Sequence, residues 1–157
     1  YEKAVEWNGL IGAFGFIVTF SIAFYLAKLA KKHGAKMIHF ACLLFGAISF
    51  LWFPTIQNQY VFFAVIIGYG IAWASMMGIP YLMVVAVVPK ERYGVYMGII
   101  NMMIVIPMII QNLSFGYILK NFLDNDPRQA ISFAGVLLVL AAICTLLIKI
   151  KNTKLSE

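Results

Sequence analysis

The sequence is short of charge. Six of its 157 residues are acidic and twelve basic, and from Met37 to Pro89 there is no Asp, Glu, Lys or Arg. That gap excludes a water-soluble core, because a soluble fold presents polar surface every few residues. A tract in which His39 is the only strong candidate for ionisation is stable where lipid replaces water. Cysteine is scarce too. Cys42 and Cys144 both fall inside apolar runs, which gives a disulfide framework no support and makes them small core residues. The opening Tyr1–Trp7 lacks a basic region and contains Glu2 and Glu6, so no cleavable signal peptide is expected. Carboxylates are missing from the apolar runs, and neither His33 nor His39 has a second ligand at helical spacing. Nucleophile, acid and base, or metal ligands, are therefore not assembled, and the sequence argues against an enzyme and against a metal site. His39 is expected to be a solvated residue at a helix end.

What is present is apolar. Hydrophobic residues make up 63% of the chain, against roughly 45 to 50% in soluble domains. The net charge of +6 does not suggest nucleic acid, since the basic residues sit at the ends of apolar runs instead of on one solvated face. Five runs, at about 8–27, 37–53, 60–88, 95–119 and 130–148, each approach the roughly 20 residues that cross a hydrocarbon core. The fold class expected is all-α, a polytopic membrane helical bundle with no soluble domain. Pro80 and Pro107 lie inside the two longest runs, where tilting or kinking is expected.

Charge orients the runs. Lys28, Lys31, Lys32, Lys36, Lys90, Arg92, Lys149, Lys151 and Lys154 all fall on one side of an alternating five-span path. By the positive-inside rule that side is cytoplasmic, with the N-terminus of the segment outside and the C-terminus inside. Such a chain is expected to continue from an upstream span, as a fragment. A natural five-span protein is the alternative.

Within the runs, small residues recur at four-residue spacing: Gly15, Thr19, Ala23 and Ala27, then Ala64, Gly68 and Ala72, then Gly94 and Gly98. Such stripes let helix backbones approach closely. Uncharged polar residues mark a second kind of face. Asn101 and Asn112 are eleven residues apart and return to nearly the same side of a helix, with Gln111 beside them. Pro107 between them frees the Met103 carbonyl. These amides either glue helices together or meet a ligand. Tyr69, Trp73 and Met77 recur every four residues towards Pro80, an aromatic face suited to helix packing or to a sugar ring laid apolar side down. The stretch Pro89-Lys-Glu-Arg-Tyr-Gly reads as a cytoplasmic hinge built on Arg92, Gly94 and Gly98. In it Lys90 and Arg92 can bond the last carbonyls of the preceding helix.

The order of a basic Gly-Ala turn at Lys28–Lys36, then Gly78-Ile-Pro-Tyr81, then Gly98-Ile-Ile-Asn-Met-Met-Ile-Val-Ile-Pro107 resembles the C-terminal half of major facilitator sugar:cation symporters. The branch it is similar to holds plant sucrose transporters, animal proton-coupled sugar transporters and the glycoside/pentoside/hexuronide symporters. Leu29 and Ala30 stand where the acidic residue of the family's loop motif is usual, and Met108 where plant sucrose transporters place Gln. The resemblance implies helices eight to twelve of twelve and sugar symport, a disaccharide such as sucrose or maltose, by alternating access in a plasma (inner) membrane. Tyr69, Trp73, Asn101, Gln111 and Asn112 would line the sugar site, and Pro80, Arg92, Gly94, Gly98 and Pro107 would serve hinge movement. The implied partners are the sugar, membrane lipid and the missing N-terminal half, which would bind most of the coupling cation, a proton. No other cofactor is implied. A carrier for another small solute and a non-transporting polytopic scaffold or accessory protein are the rival readings.

Overall fold

The computed structural model describes residues 2–149; of the basic tail, Lys151 and Lys154 lie outside the described residues. Five α-helices follow one another: α1 (Glu2–His33), α2 (Ala35–Trp52), α3 (Phe62–Val85), α4 (Tyr93–Phe122) and α5 (Pro127–Leu147). All five are long and apolar enough to cross a membrane. The two inner prolines do not interrupt them, since α3 continues through Pro80 and α4 through Pro107. Helix α1 outruns the apolar run it contains: its 32 residues span about 48 Å against a hydrocarbon core of about 30 Å.

Local chemistry sets the ends. Helix α1 starts on Glu2 and finishes on Lys31, Lys32 and His33, charges that complement the helix dipole at each end. It stops at Gly34, whose φ of +91° and ψ of 125° define a conformation open almost only to glycine. A Cβ at Gly34 would meet nothing within 4 Å. Replacement by alanine is therefore expected to cost about 1–3 kcal/mol through backbone strain alone, read as a lower thermal midpoint of the purified protein in detergent. At the other end of the bundle the Asp126 carboxylate caps α5 by accepting from the Arg128 N–H at 2.8 Å, with Pro127 opening the helix. The Asn125 N–H reaches back to the Leu119 carbonyl at 2.9 Å, closing the end of α4.

Helices α1, α2, α3 and α5 form one packed body, and its seams are made of small residues. The Gly15 side of α1 meets α3 at Gly70: a Cβ on Gly70 would lie 3.0 Å from Val18 and 3.2 Å from the Gly15 carbonyl. The Thr19 hydroxyl donates to the Gly15 carbonyl at 2.9 Å and also faces the Gly70 carbonyl across the seam at 3.3 Å. Between α2 and α3 a Cβ on Gly46 would collide with Ala72, and one on Gly68 with Ser49. Between α2 and α5 a Cβ on Gly135 would come within 3.2 Å of the Leu51 backbone nitrogen. Ala47, Ala72 and Ala142 are almost fully buried, as close backbone approach requires in a medium that supplies no hydrophobic drive. The expected stripes are met only in part: Ala23 and Ala64 are exposed, and a Cβ on Gly94 or Gly98 would meet nothing within 4 Å.

Two contacts order the ends. Lys36, at the start of α2, donates from Nζ to the Ile148 carbonyl just past α5 at 2.8 Å. The turn from α1 to α2 and the end of α5 therefore share one end of the bundle. At the opposite end Trp7 of α1 meets Tyr60 and Phe63 edge-on, with ring centroids 5.5 and 6.2 Å away. Ile11, Phe53, Phe62 and Ile131 line one small cavity there.

Helix α4 stands apart. Of its thirty residues only Ile100 is buried, and large apolar side chains such as Met103, Ile110 and Leu113 are exposed. It meets the rest of the bundle through α3, close to the connecting turn.

Candidate functional site

Three rings stack along the face where α2 and α3 meet. Phe50 lies nearly parallel to Tyr69, with centroids 5.7 Å apart and 12° between planes, and Tyr69 to Trp73 at 5.8 Å and 23°. The four-residue spacing of Tyr69 and Trp73 puts them one above the other on α3, while Phe50 comes from the last turns of α2. The stack walls a cavity of about 340 Å³ closed on its other side by Ala134, Leu137 and Ala141 of α5. Trp73 is 37% exposed at its rim. The lining is apolar apart from the Tyr69 hydroxyl and the Trp73 indole N–H, a surface that can stack on a ring and offer it few hydrogen bonds.

The aromatic face continues along α3 through Met77 to Tyr81, and there α4 joins it. The Tyr81 hydroxyl donates to the Asn101 side-chain oxygen, and the Tyr93 hydroxyl donates to the Val85 carbonyl at 3.2 Å. These two bonds run in opposite senses along the two chains, so α3 and α4 are antiparallel here. Climbing α4 from Asn101 to Gln111 and Asn112 takes ten and eleven residues, about 15 Å. The same climb along α3 from Tyr81 ends at Ile71 and Gly70, between Tyr69 and Trp73. Gln111 and Asn112 thus stand near the depth of the aromatic stack, exposed on the uncovered part of α4. The structure joins Tyr69 to Trp73, and Asn101 to the lower end of the same face. Gln111 and Asn112 stay exposed on α4, outside the cavity lining.

The hinge stretch is a single tight turn, Lys90–Arg92, with Arg92 exposed. The late carbonyl of α3 is bonded by Tyr93, where the sequence had suggested Lys90 or Arg92. A phenol held in place by the start of α4 reaches Val85 across the turn. Pro80 is half-buried and Pro107 exposed.

One correction concerns His39. Instead of standing in solvent at a helix end it turns into the bundle, with Nδ1 2.7 Å from the hydroxyl oxygen of Ser75 on α3. Ser75 is itself fully buried. The signal was present in the chain, since His39 is the one histidine inside a charge-free tract and Ser75 the only serine or threonine of the third run. Phe50 was missed as well, because spacing within one helix does not reveal a partner on another. Among the described residues no three His, Cys, Asp or Glu side chains gather as metal ligands.

The family model described as Major Facilitator Superfamily matches residues 3–156. No curated protein and no solved structure matches the chain.

Proposed function

The chain belongs to the Major Facilitator Superfamily, an integral multi-pass membrane transporter family, and from that premise we propose that it supplies helices eight to twelve of a sugar:cation symporter of the sucrose and glycoside/pentoside/hexuronide branch. The observation that carries this reading is the Phe50–Tyr69–Trp73 stack, whose face leads to the Tyr81–Asn101 pair. A disaccharide lays the apolar face of one ring on Trp73, and its hydroxyls bond Asn101 and, once α4 closes on α3, Gln111 and Asn112. Alternating access rocks this half against an upstream N-terminal half around that midplane site. Gly94 and Gly98, with open space beside them, leave the start of α4 free to move at the Arg92 turn, and Pro80 and Pro107 weaken α3 and α4 at one point each.

The exposed surface of α4 supports the fragment reading. Lipid satisfies its apolar side chains but not the exposed amides of Asn101, Gln111 and Asn112, which call for polar neighbours, and helices of the same carrier are the simplest source of them. In this reading the lysine-rich end is cytoplasmic and the membrane is the plasma (inner) membrane.

The test is uptake by the full-length carrier in proteoliposomes under a proton gradient, with unlabelled disaccharides, amino acids and amphipathic drugs as competitors. Competition by sucrose or maltose alone is expected. Asn101→Ala is expected to weaken sugar binding about tenfold, the equivalent of about 1.4 kcal/mol for a hydrogen bond lost in a closed site. The apolar lining of the cavity favours a second reading, a carrier of a less polar solute, and competition by drugs but not by sugars would select it. If cysteines placed along α3 and α4 meet no water at mid-depth, the transport reading falls in favour of a scaffold.

A further inference from the structure

The bundle holds one half-buried histidine that the sugar site does not use. His39 lies in the second turn of α2, but its neighbours run on past it: α3 continues from Ser75 to Val85, about 15 Å, and α1 extends to His33 beside the α2 start. The imidazole is thus recessed within the bundle at its lysine-rich end. Its partner is unusual among the hydroxyls here. Thr19, Ser49, Ser114 and Thr145 each donate to the carbonyl four residues earlier on their own helix, the common resting place of a hydroxyl in an apolar helix. Ser75 instead meets a side chain on another helix at 2.7 Å.

We infer that His39, held by Ser75 between α2 and α3, is a proton-binding site of the transport cycle. The geometry satisfies both charge states. With the ring neutral, Ser75 donates its O–H to Nδ1. With the ring protonated both nitrogens donate, Nδ1–H bonds the Ser75 oxygen, and the Ser75 O–H turns to the Ile71 carbonyl, four residues earlier, as the other four hydroxyls do. The proton comes from water and returns to it, and nothing else is consumed. Histidine suits the task because its ordinary titration range is physiological.

The surroundings are specified. On α2 the Cys42 thiol is buried and within reach of Ser75. Lys36, three residues before His39, is turned to the Ile148 carbonyl. Lys28, Lys31, Lys32 and Lys149 stand at the same end, and α1 packs here through Leu26 and Ile22. No carboxylate lies in α3 or α5, so an imidazolium has a hydroxyl but no counter-ion. It is tolerated when the recess is wet and rejected when the recess closes, which is the asymmetry that couples proton binding to the side of access.

The inference deepens the cation-coupled reading and rests on it, but one arm of its test needs no solute. In the full-length carrier, thermal unfolding in detergent is followed between about pH 5 and 8. The wild type and His33→Gln are expected to share a pH-dependent midpoint that His39→Gln loses; a His39→Gln protein with the wild-type profile overturns the inference. Should His39→Gln fail to fold, Ser75→Ala decides: a displaced titration supports the pair, and an unmoved one overturns it. In proteoliposomes His39→Gln is expected to lose proton-driven accumulation, while its counterflow persists without following pH. Accumulation at the wild-type level overturns the site. If the wild type moves no sugar but its midpoint still titrates through His39, the proton site stands and the sugar reading alone fails.

Discussion

Gly68→Leu is expected to destroy the seam between α2 and α3 and to cost about 3 kcal/mol or more. Even the first carbon of a side chain at this position would collide with the Ser49 hydroxyl and come within 3.2 Å of the Phe45 carbonyl. Ser49 has little room to yield, because it is buried and its hydroxyl is bonded to that same carbonyl at 3.0 Å. The two helices must then separate, which also pulls Gly46 from Ala72 and opens the floor beneath the aromatic stack. The measurement is the thermal midpoint of the purified protein in detergent, with Gly12→Ala as comparison. Gly12 has nothing within 4 Å of its missing Cβ, so alanine there is expected to be neutral or slightly stabilising through helix propensity. Equal midpoints for Gly68→Leu and the wild type would show that the seam is not where the bundle is held.

Trp73→Ala is expected to lower the affinity for the proposed sugar substrate roughly thirtyfold, from about 2 kcal/mol of lost ring contact. The proposed platform is a stack, so the loss is shared: Tyr69 is held between Phe50 and Trp73 and loses one of its two neighbours. Trp73→Phe keeps a ring of smaller area and is expected to fall between. Phe16→Ala, at a side chain 71% exposed on α1, is expected to leave affinity unchanged. Sugar binding followed by quenching of intrinsic fluorescence suits Trp7 and Trp52 as the remaining reporters, and counterflow gives an independent value for the Trp73→Ala protein. Unaltered affinity would assign the stack to helix packing alone.

The antiparallel register of α3 and α4 gives these predictions a mechanical setting. The helices are tied at Tyr81–Asn101 and Tyr93–Val85 and are otherwise free of each other towards Gln111 and Asn112. A rotation of α4 about the tied end sweeps its amides towards the aromatic face with little change near the turn. In the proposed cycle that sweep closes the site, and Gly94 and Gly98 leave it sterically unopposed.

How far the chain could be read in advance differs from one residue to the next. The run boundaries followed from hydropathy and were short by several residues wherever helices continue through polar ends, as α1 does from Glu2 and out to His33. Tyr69 and Trp73 were legible as one face because they belong to one helix. Asn101 was legible as a polar residue in an apolar run, but its partner Tyr81 was not, since a hydrogen bond between helices leaves no periodic trace in either. His39 was misread for a related reason: four residues from a helix start usually means water, and only the packing of α3 against α2 brings Ser75 to the ring.

From composition and charge placement alone came the membrane class, the five helices and their alternating path, because an apolar backbone must close its own hydrogen bonds and lysines gather at one end of the runs. Only the folded arrangement decided which small residues meet, that His39 points inward to Ser75, and that α4 stays nearly uncovered beside a stacked aromatic face. Helices that are apolar all round carry no hydrophobic stripe to say which side faces a neighbour. That choice is made by the fit of backbone against backbone, which is a property of the assembled bundle.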